Sequence, residues 1–232
     1  MGQRTEIEVP GIGTVGGWRS APEGAARGAL VVVQEIFGVN PHIRSVTDRY
    51  AADGWLALAP AMFDPVERGV ALDYDESGFE HGRALAAALG FDRAVAIVAA
   101  AAAMLGQQAP ALRCGVVGFC WGGSIAFLAN TRLGLPAVSW YGARTVPFLD
   151  EPLRAPMLFH FGARDHSIPA ADVELHRRRQ PDAELHVYPA GHGFNRDVDP
   201  RHYDAGSARI AQARTDAFLA RALVPIERED PR

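Results

Sequence analysis

The stretch VGFCWGGS, Val117–Ser124, sets a cysteine among glycines where one kind of sequence pattern gives way to another. Upstream, RCGVVGF (113–119) is a short, almost unbroken apolar run, the pattern of a strand covered on both faces. Downstream, WGGSIAFLAN continues as a helix over 122–132. Only a tight strand-to-helix turn joins the two, and Gly118, Gly122 and Gly123 leave room for it. G-x-C-x-G is the G-x-S-x-G nucleophile elbow with sulfur in place of the hydroxyl oxygen. The helix places the positive end of its dipole beside the sulfur, which favours the thiolate. Cys120 is therefore a candidate nucleophile, with an inert buried thiol as the plain alternative. Cys114, inside the strand and away from the turn, reads as core.

Working outward, the same alternation fills the chain. Strands are expected at 6–9, 29–36, 55–60, 113–119, 137–142, 156–162 and 184–190. Helical segments are expected near 41–53, 78–89, 91–107, 122–132, 169–179 and 203–222, with Asp73 or Ser77 capping the second and Pro169 in the first turn of the fifth. Strand–helix alternation on this scale predicts an α/β fold, a mostly parallel sheet with helices on both faces. TVGGWRSAP, near the start, predicts antiparallel strands at one edge. No repeat, low-complexity tract or linker divides the chain, so 1–232 is expected to be one domain with a charged, frayed tail at 226–232.

In such sheets ligands gather beyond the carboxyl ends of the strands, where this chain delivers Glu35, Cys120, Asp165 and His192. A thiol needs a base. HFGARDHSIP places Asp165 after one strand and YPAGHGFNRD places His192 after the next. The order Cys120, Asp165, His192 is the nucleophile–acid–histidine order of α/β-hydrolases. In that arrangement the histidine shuttles the proton, while the aspartate fixes its tautomer and stabilises the imidazolium. The oxyanion hole of this architecture draws one amide from the residue after the nucleophile, Trp121, and one from the loop after an early strand, which nominates Ile36. Glu35 is an acid at the end of an apolar strand, costly to bury unpaired; it reads either as a structural carboxylate or as a group facing the thiol. The other histidines, His42, His81, His176 and His202 in expected helices and His160 and His186 in strands, compete poorly. His166, next to Asp165, does not readily face the same pocket.

Composition removes other classes. The net charge of −4 offers no basic face for nucleic acid. Two cysteines form no C-x-x-C pair, their six-residue separation along one extended run is too long for a bridge, and no H-x-x-x-H spacing appears. Reduced thiols, a cytoplasmic location and no metal or other cofactor are the expectation. MGQRTEIEVP lacks the apolar stretch of a secretory signal, and the run Ala94–Leu105 falls short of the roughly 20 residues that span a bilayer.

At these residues the chain resembles the dienelactone hydrolase (carboxymethylenebutenolidase) family of the α/β-hydrolase superfamily. QEIFGVN (34–40), VGFCWGG (117–123), WYG (140–142), GARDHSIP (162–169) and AGHGFNR (190–196) match that family's signatures in order, over nearly the whole chain. The resemblance implies Cys120 as nucleophile, Asp165 and His192 as its partners, and Glu35 in contact with the resting cysteine, helping to deprotonate it when substrate arrives. It implies a monomer and a small-molecule substrate: an enol lactone of the kind met in catechol-type aromatic degradation, with a free carboxylate held by arginines. Arg196 matches one of these; the second is Arg83 or Arg93, and Arg83 is preferred. The aromatic neighbours expected beside that arginine are missing from RALAAAL. A broader carboxylesterase or thioesterase is the alternative within this class, and a catalytically silent sensor of small acidic ligands is the alternative outside it. A redox role for Cys120 would want a resolving cysteine, and Cys114 is badly placed for one.

Overall fold

The computed structural model describes residues 2–224, so the charged tail at 226–232 lies outside the described residues. Among them, eight strands build one sheet: β1 (Gln3–Val9), β2 (Gly13–Ser20), β3 (Ala29–Val33), β4 (Leu56–Pro60), β5 (Cys114–Phe119), β6 (Ala137–Trp140), β7 (Met157–Gly162) and β8 (Glu184–Tyr188). The helices are α1 (Pro41–Ala52), α2 (Glu76–Leu89), α3 (Phe91–Gln108), α4 (Trp121–Leu133), α5 (Ala170–Arg179) and α6 (Ala205–Leu223). Strand order is β1-β2-β4-β3-β5-β6-β7-β8. The six strands β3 to β8 run parallel, while β2 pairs antiparallel with β4 and β1 antiparallel with β2. This is the mostly parallel α/β sheet with antiparallel strands at one edge that the sequence pattern predicts.

Burial follows position in the sheet. Every residue of β3, β4, β6 and β7 is buried, as parallel strands covered on both faces must be. The edge strands differ: β1 carries Arg4, Glu6 and Glu8 to solvent, and β8 exposes Glu184. Charged side chains of this kind discourage edge-to-edge pairing. The alanines of α3 let it lie close against β3 and α4, with Ala94 and Ala101 fully buried.

Some boundaries moved. The third strand ends at Val33, and Gln34–Phe37 peel away from it into a turn. α2 starts at Glu76, and its cap is Asp75, between the two expected positions; its carboxylate accepts the Gly78 N–H at 2.7 Å. A side-chain oxygen three residues before that amide is the spacing an N-cap requires. Pro169 is the residue before α5 and so sits at the cap. His202 lies in a turn ahead of α6.

This topology positions the site. From β3 the chain moves one way to β4, then crosses back through α2 and α3 to β5 on the other side of β3. The crevice where strand order reverses opens beyond the ends of β3 and β5. Glu35 and Ile36 follow the first of these strands, and Cys120 follows the second.

Candidate active site

Cys120 joins β5 directly to α4 with φ 54° and ψ −118°, a left-handed backbone that few non-glycine residues adopt. The turn is held by the Cys120 N–H donating to Trp140 O and the Gly123 N–H donating to Cys120 O, both at 2.9 Å. Close approach dictates its glycines. A Cβ on Gly118 would stand 1.9 Å from Gly122 O, and one on Gly122 would stand 2.3 Å from Gln34 O. The elbow is thereby pressed against the turn after β3, which brings Ile36 beside the sulfur's end of α4.

His192 reaches the same place from the loop after β8. Its Nδ1 lies 2.7 Å from Asp165 Oδ2, and the carboxylate has no exposed side-chain surface. Asp165 is itself fixed by the Ser167 N–H at 2.8 Å. With Nδ1 on the carboxylate, Nε2 is the ring nitrogen left over, and His192 lines the same cavity as Cys120. Burial alone would push the His192 pKa down, but the neighbouring Cys120 and the bond to Asp165 outweigh it and raise the value to about 10. Behind the ring, Tyr141 packs edge-on at 4.9 Å and its hydroxyl bonds Asn195. Tyr141 also holds a positive φ, 40°. The sequence marked it only through WYG, and nothing in the pattern announced its packing on the histidine.

Glu35 departs from the expected contact with the cysteine. Its carboxylate is closed on Arg196, with Nε 2.9 and 3.1 Å from the two oxygens and Nη2 at 2.8 Å, and Tyr74 donates its hydroxyl to Oε2 at 3.0 Å. The pair is out of solvent: Glu35 is fully buried and Arg196 is 5% exposed. Burial would raise the Glu35 pKa, but Arg196 and the nearby His42 ring outweigh it and hold it below the usual value. The same pairing raises Arg196 further above its ordinary range, against the opposing effect of burial. Tyr74, in the loop before α2, is a partner the sequence gave no signal for.

Several of these groups line one cavity of about 730 Å³, within the usual size of a small-molecule site. Ile36, Cys120, Trp121, His192 and Arg196 face it, and so does Arg83 from α2. Arg93 instead folds back onto the end of α2, donating to Leu89 O at 2.8 Å. The aromatic wall missing from RALAAAL is supplied by Phe79, one turn earlier on α2 with its ring 5.6 Å from the Arg83 guanidinium, and by Tyr74, Phe91 and Trp121. Trp121 is the first residue of α4, where backbone N–H groups have no intrahelical acceptor.

The fold and sequence both have relatives. Residues 15–223 match the family model of the dienelactone hydrolase family. The chain is 30% identical to carboxymethylenebutenolidase 1 of Cupriavidus pinatubonensis over 93% of its own length and 95% of that protein. It is 32% identical to an Azospirillum brasilense protein provisionally named a carboxymethylenebutenolidase, over 94% of this chain and 99% of the relative. Among solved structures, a Klebsiella pneumoniae protein provisionally named a dienelactone hydrolase superposes with a TM-score of 0.81 at 30% identity, covering 95% of this chain and 99% of the other. The dienelactone hydrolase-like promiscuous phosphotriesterase P91, from metagenomic libraries, shares the fold at 21% identity, with a TM-score of 0.74 over 96% and 98% of the two chains. With a family match over most of the chain and relatives alike over nearly their whole length, this chain belongs to the dienelactone hydrolase family and is an ester or lactone hydrolase.

Proposed function

We propose that the chain hydrolyses an enol lactone bearing a free carboxylate, of the kind formed in catechol-type aromatic degradation, through an acyl-cysteine intermediate. The observation that carries this reading is His192, bonded to Asp165, lining the same cavity as a Cys120 set at a strained elbow. The Cys120 thiolate attacks the lactone carbonyl, forming an S–C bond. The backbone amides of Ile36 and Trp121 receive the developing oxyanion. The ring C–O bond then breaks, and the enolate takes its proton from the His192 imidazolium, leaving the ring neutral. A water molecule, giving its proton to His192, attacks the thioester; the C–S bond breaks and the thiolate is restored.

The Glu35–Arg196 pair supplies a trigger. An incoming substrate carboxylate competes for the Arg196 guanidinium, with Arg83 as its second contact. Glu35 released in this way becomes a buried, unpaired carboxylate beside the sulfur and takes the thiol proton. The substrate thus favours its own nucleophile, and the thiol stays protected when the site is empty. The aromatic wall and the size of the cavity favour, as the second reading, a broader carboxylesterase on the same machinery.

Steady-state turnover of 4-carboxymethylenebutenolide beside a neutral p-nitrophenyl ester, by wild type and Cys120→Ala, separates these. Lactone turnover that vanishes in the variant supports the first reading. Turnover of the neutral ester alone supports the second and discards the carboxylate requirement.

A further inference from the structure

Two arginines on the walls of the cavity are left without an anion. Arg83 and Arg144 both line it and both are exposed. Neither guanidinium has a carboxylate oxygen within 4.0 Å among the described residues. The other two arginines of the cavity are engaged: Arg196 is closed on Glu35, and Arg201 is held by Asp199 at 3.0 Å. The acids of the cavity do not neutralise the free pair. Asp75 is committed to capping α2 and Asp199 to Arg201 and His202. Glu76 lies two helical turns before Arg83 on α2, about 10 Å along its axis.

The two free cations stand on opposite sides of the sulfur. Arg83 follows Gly82, where α2 presses so closely on the turn after β3 that a Cβ would come within 2.1 Å of Ile36 O. Arg144 follows β6 on the other side. There a Cβ on Gly123 would come within 3.0 Å of Gly142 Cα, which packs this loop onto the first turn of α4. Cys120 ends β5, the strand between β3 and β6. With strands about 4.8 Å apart, two spacings separate the two sides and the thiol lies between them.

Arg144 is also held in place. Its backbone N–H donates to the buried Ser124 hydroxyl at 3.0 Å. The next residue, Thr145, is buried and bonds the His176 ring and Gly142 O. The backbone hydrogen bonds fix where the Arg144 side chain leaves the chain, at the cavity wall.

One carboxylate needs at most Arg196 and Arg83, and Arg144 then has nothing to bind. We propose that the substrate carries an anionic group on each side of its scissile ester, Arg83 facing one and Arg144 the other. This rests on the ester-hydrolase reading of the same site and narrows its substrate class to dianionic esters and lactones.

Four esters with a common core test it: phenyl butyrate, phenyl hydrogen succinate, 3-carboxyphenyl butyrate and 3-carboxyphenyl hydrogen succinate. They carry no anion, an acyl-side anion, a leaving-group anion and both. The expected wild-type result is kcat/KM about tenfold higher for each anion added, a preference that shrinks with salt. In Arg144→Gln the gain from one of the two anions collapses; in Arg83→Gln the gain from the other collapses. Arg144→Lys keeps part of its anion's gain, which a merely structural role for the side chain would not produce. The proposal is overturned if both glutamine variants lose the same anion's gain, or if wild type prefers the monoanions to the dianion. If none of the four shows turnover that depends on Cys120, the hydrolytic reading of the site fails as well, so the two failures are distinguishable.

Discussion

Arg196 meets Glu35 through two nitrogens, Nε at 2.9 Å and Nη2 at 2.8 Å from the same carboxylate oxygen, across 161 residues of sequence and with both side chains buried. The contact ties the loop after β8 to the turn after β3. It also places a negative charge near the candidate nucleophile and neutralises it there. A buried ion pair of this kind is costly to break from one side, because the remaining charge is left without solvent or partner.

Arg196→Met is therefore expected to destabilise the fold by about 3–5 kcal/mol, whereas Glu35→Gln combined with Arg196→Met recovers a large part of that loss. Denaturant unfolding of the two single variants and the double variant measures the coupling. Losses that simply add would mean the pair contributes nothing as a pair.

The same contact predicts a pH dependence. The folded Glu35 carboxyl titrates below its ordinary value of 4.5, so the folded state favours the ionised form. Its contribution to stability is full above pH 4.5 and is lost as the pH falls through the lowered folded value. Below pH 4.5, stability should fall more steeply for the wild type than for Glu35→Gln. Parallel curves in urea titrations across that range would remove the carboxylate from the account.

How much of this was legible in the sequence depends on the range of the force concerned. The β5 elbow and the strands around it are written locally, in apolar runs and close-packed glycines, and their boundaries held to within a few residues. Resemblance alone prefers Arg83 to Arg93; what separates them in space is that Arg83 points from α2 into the cavity while Arg93, on α3, folds back onto the end of α2, which spacing does not encode. The partner of Glu35 was not legible, because Tyr74 and Arg196 reach it from two loops far apart in sequence. Arg144 had no motif at all. Its significance comes from lacking an anion, and only three-dimensional neighbours reveal that.

Gly122→Ala should uncouple the elbow from the turn after β3. Its new Cβ would sit 2.3 Å from Gln34 O and 2.5 Å from Val33 O, and backbone cannot yield as a flexible side chain does. The strain is expected to cost about 1–3 kcal/mol in stability. Because the turn carries Ile36, kcat should fall further than the loss of folded protein explains. Normal kcat in the folded fraction would show that Ile36 has no part in the chemistry.

His192 should titrate as a member of a pair. Its pKa of about 10 follows from the neighbouring Cys120 and the bond to Asp165, set against burial. The imidazolium's contribution to stability is thus complete below its ordinary value of 6.5 and is lost as the pH rises through about 10. NMR of the labelled ring should show an alkaline midpoint in the wild type and a lower one in Cys120→Ala, where only the carboxylate remains. A midpoint that ignores the substitution would place the sulfur outside the pair.

The two cysteines should separate cleanly under alkylation. Burial pushes the Cys114 thiol up to about 12, so at pH 8 only about one molecule in ten thousand carries it as thiolate. Cys120 stands at the cavity, within reach of a reagent, at the N-terminus of α4. Iodoacetamide at pH 8 is expected to modify Cys120 alone, with activity lost in step with the label, as peptide mass mapping would follow. A substrate-like carboxylate that displaces Glu35 from Arg196 should speed this labelling when it leaves the sulfur uncovered. Equal labelling of both cysteines would mean that neither the cavity nor the elbow distinguishes them.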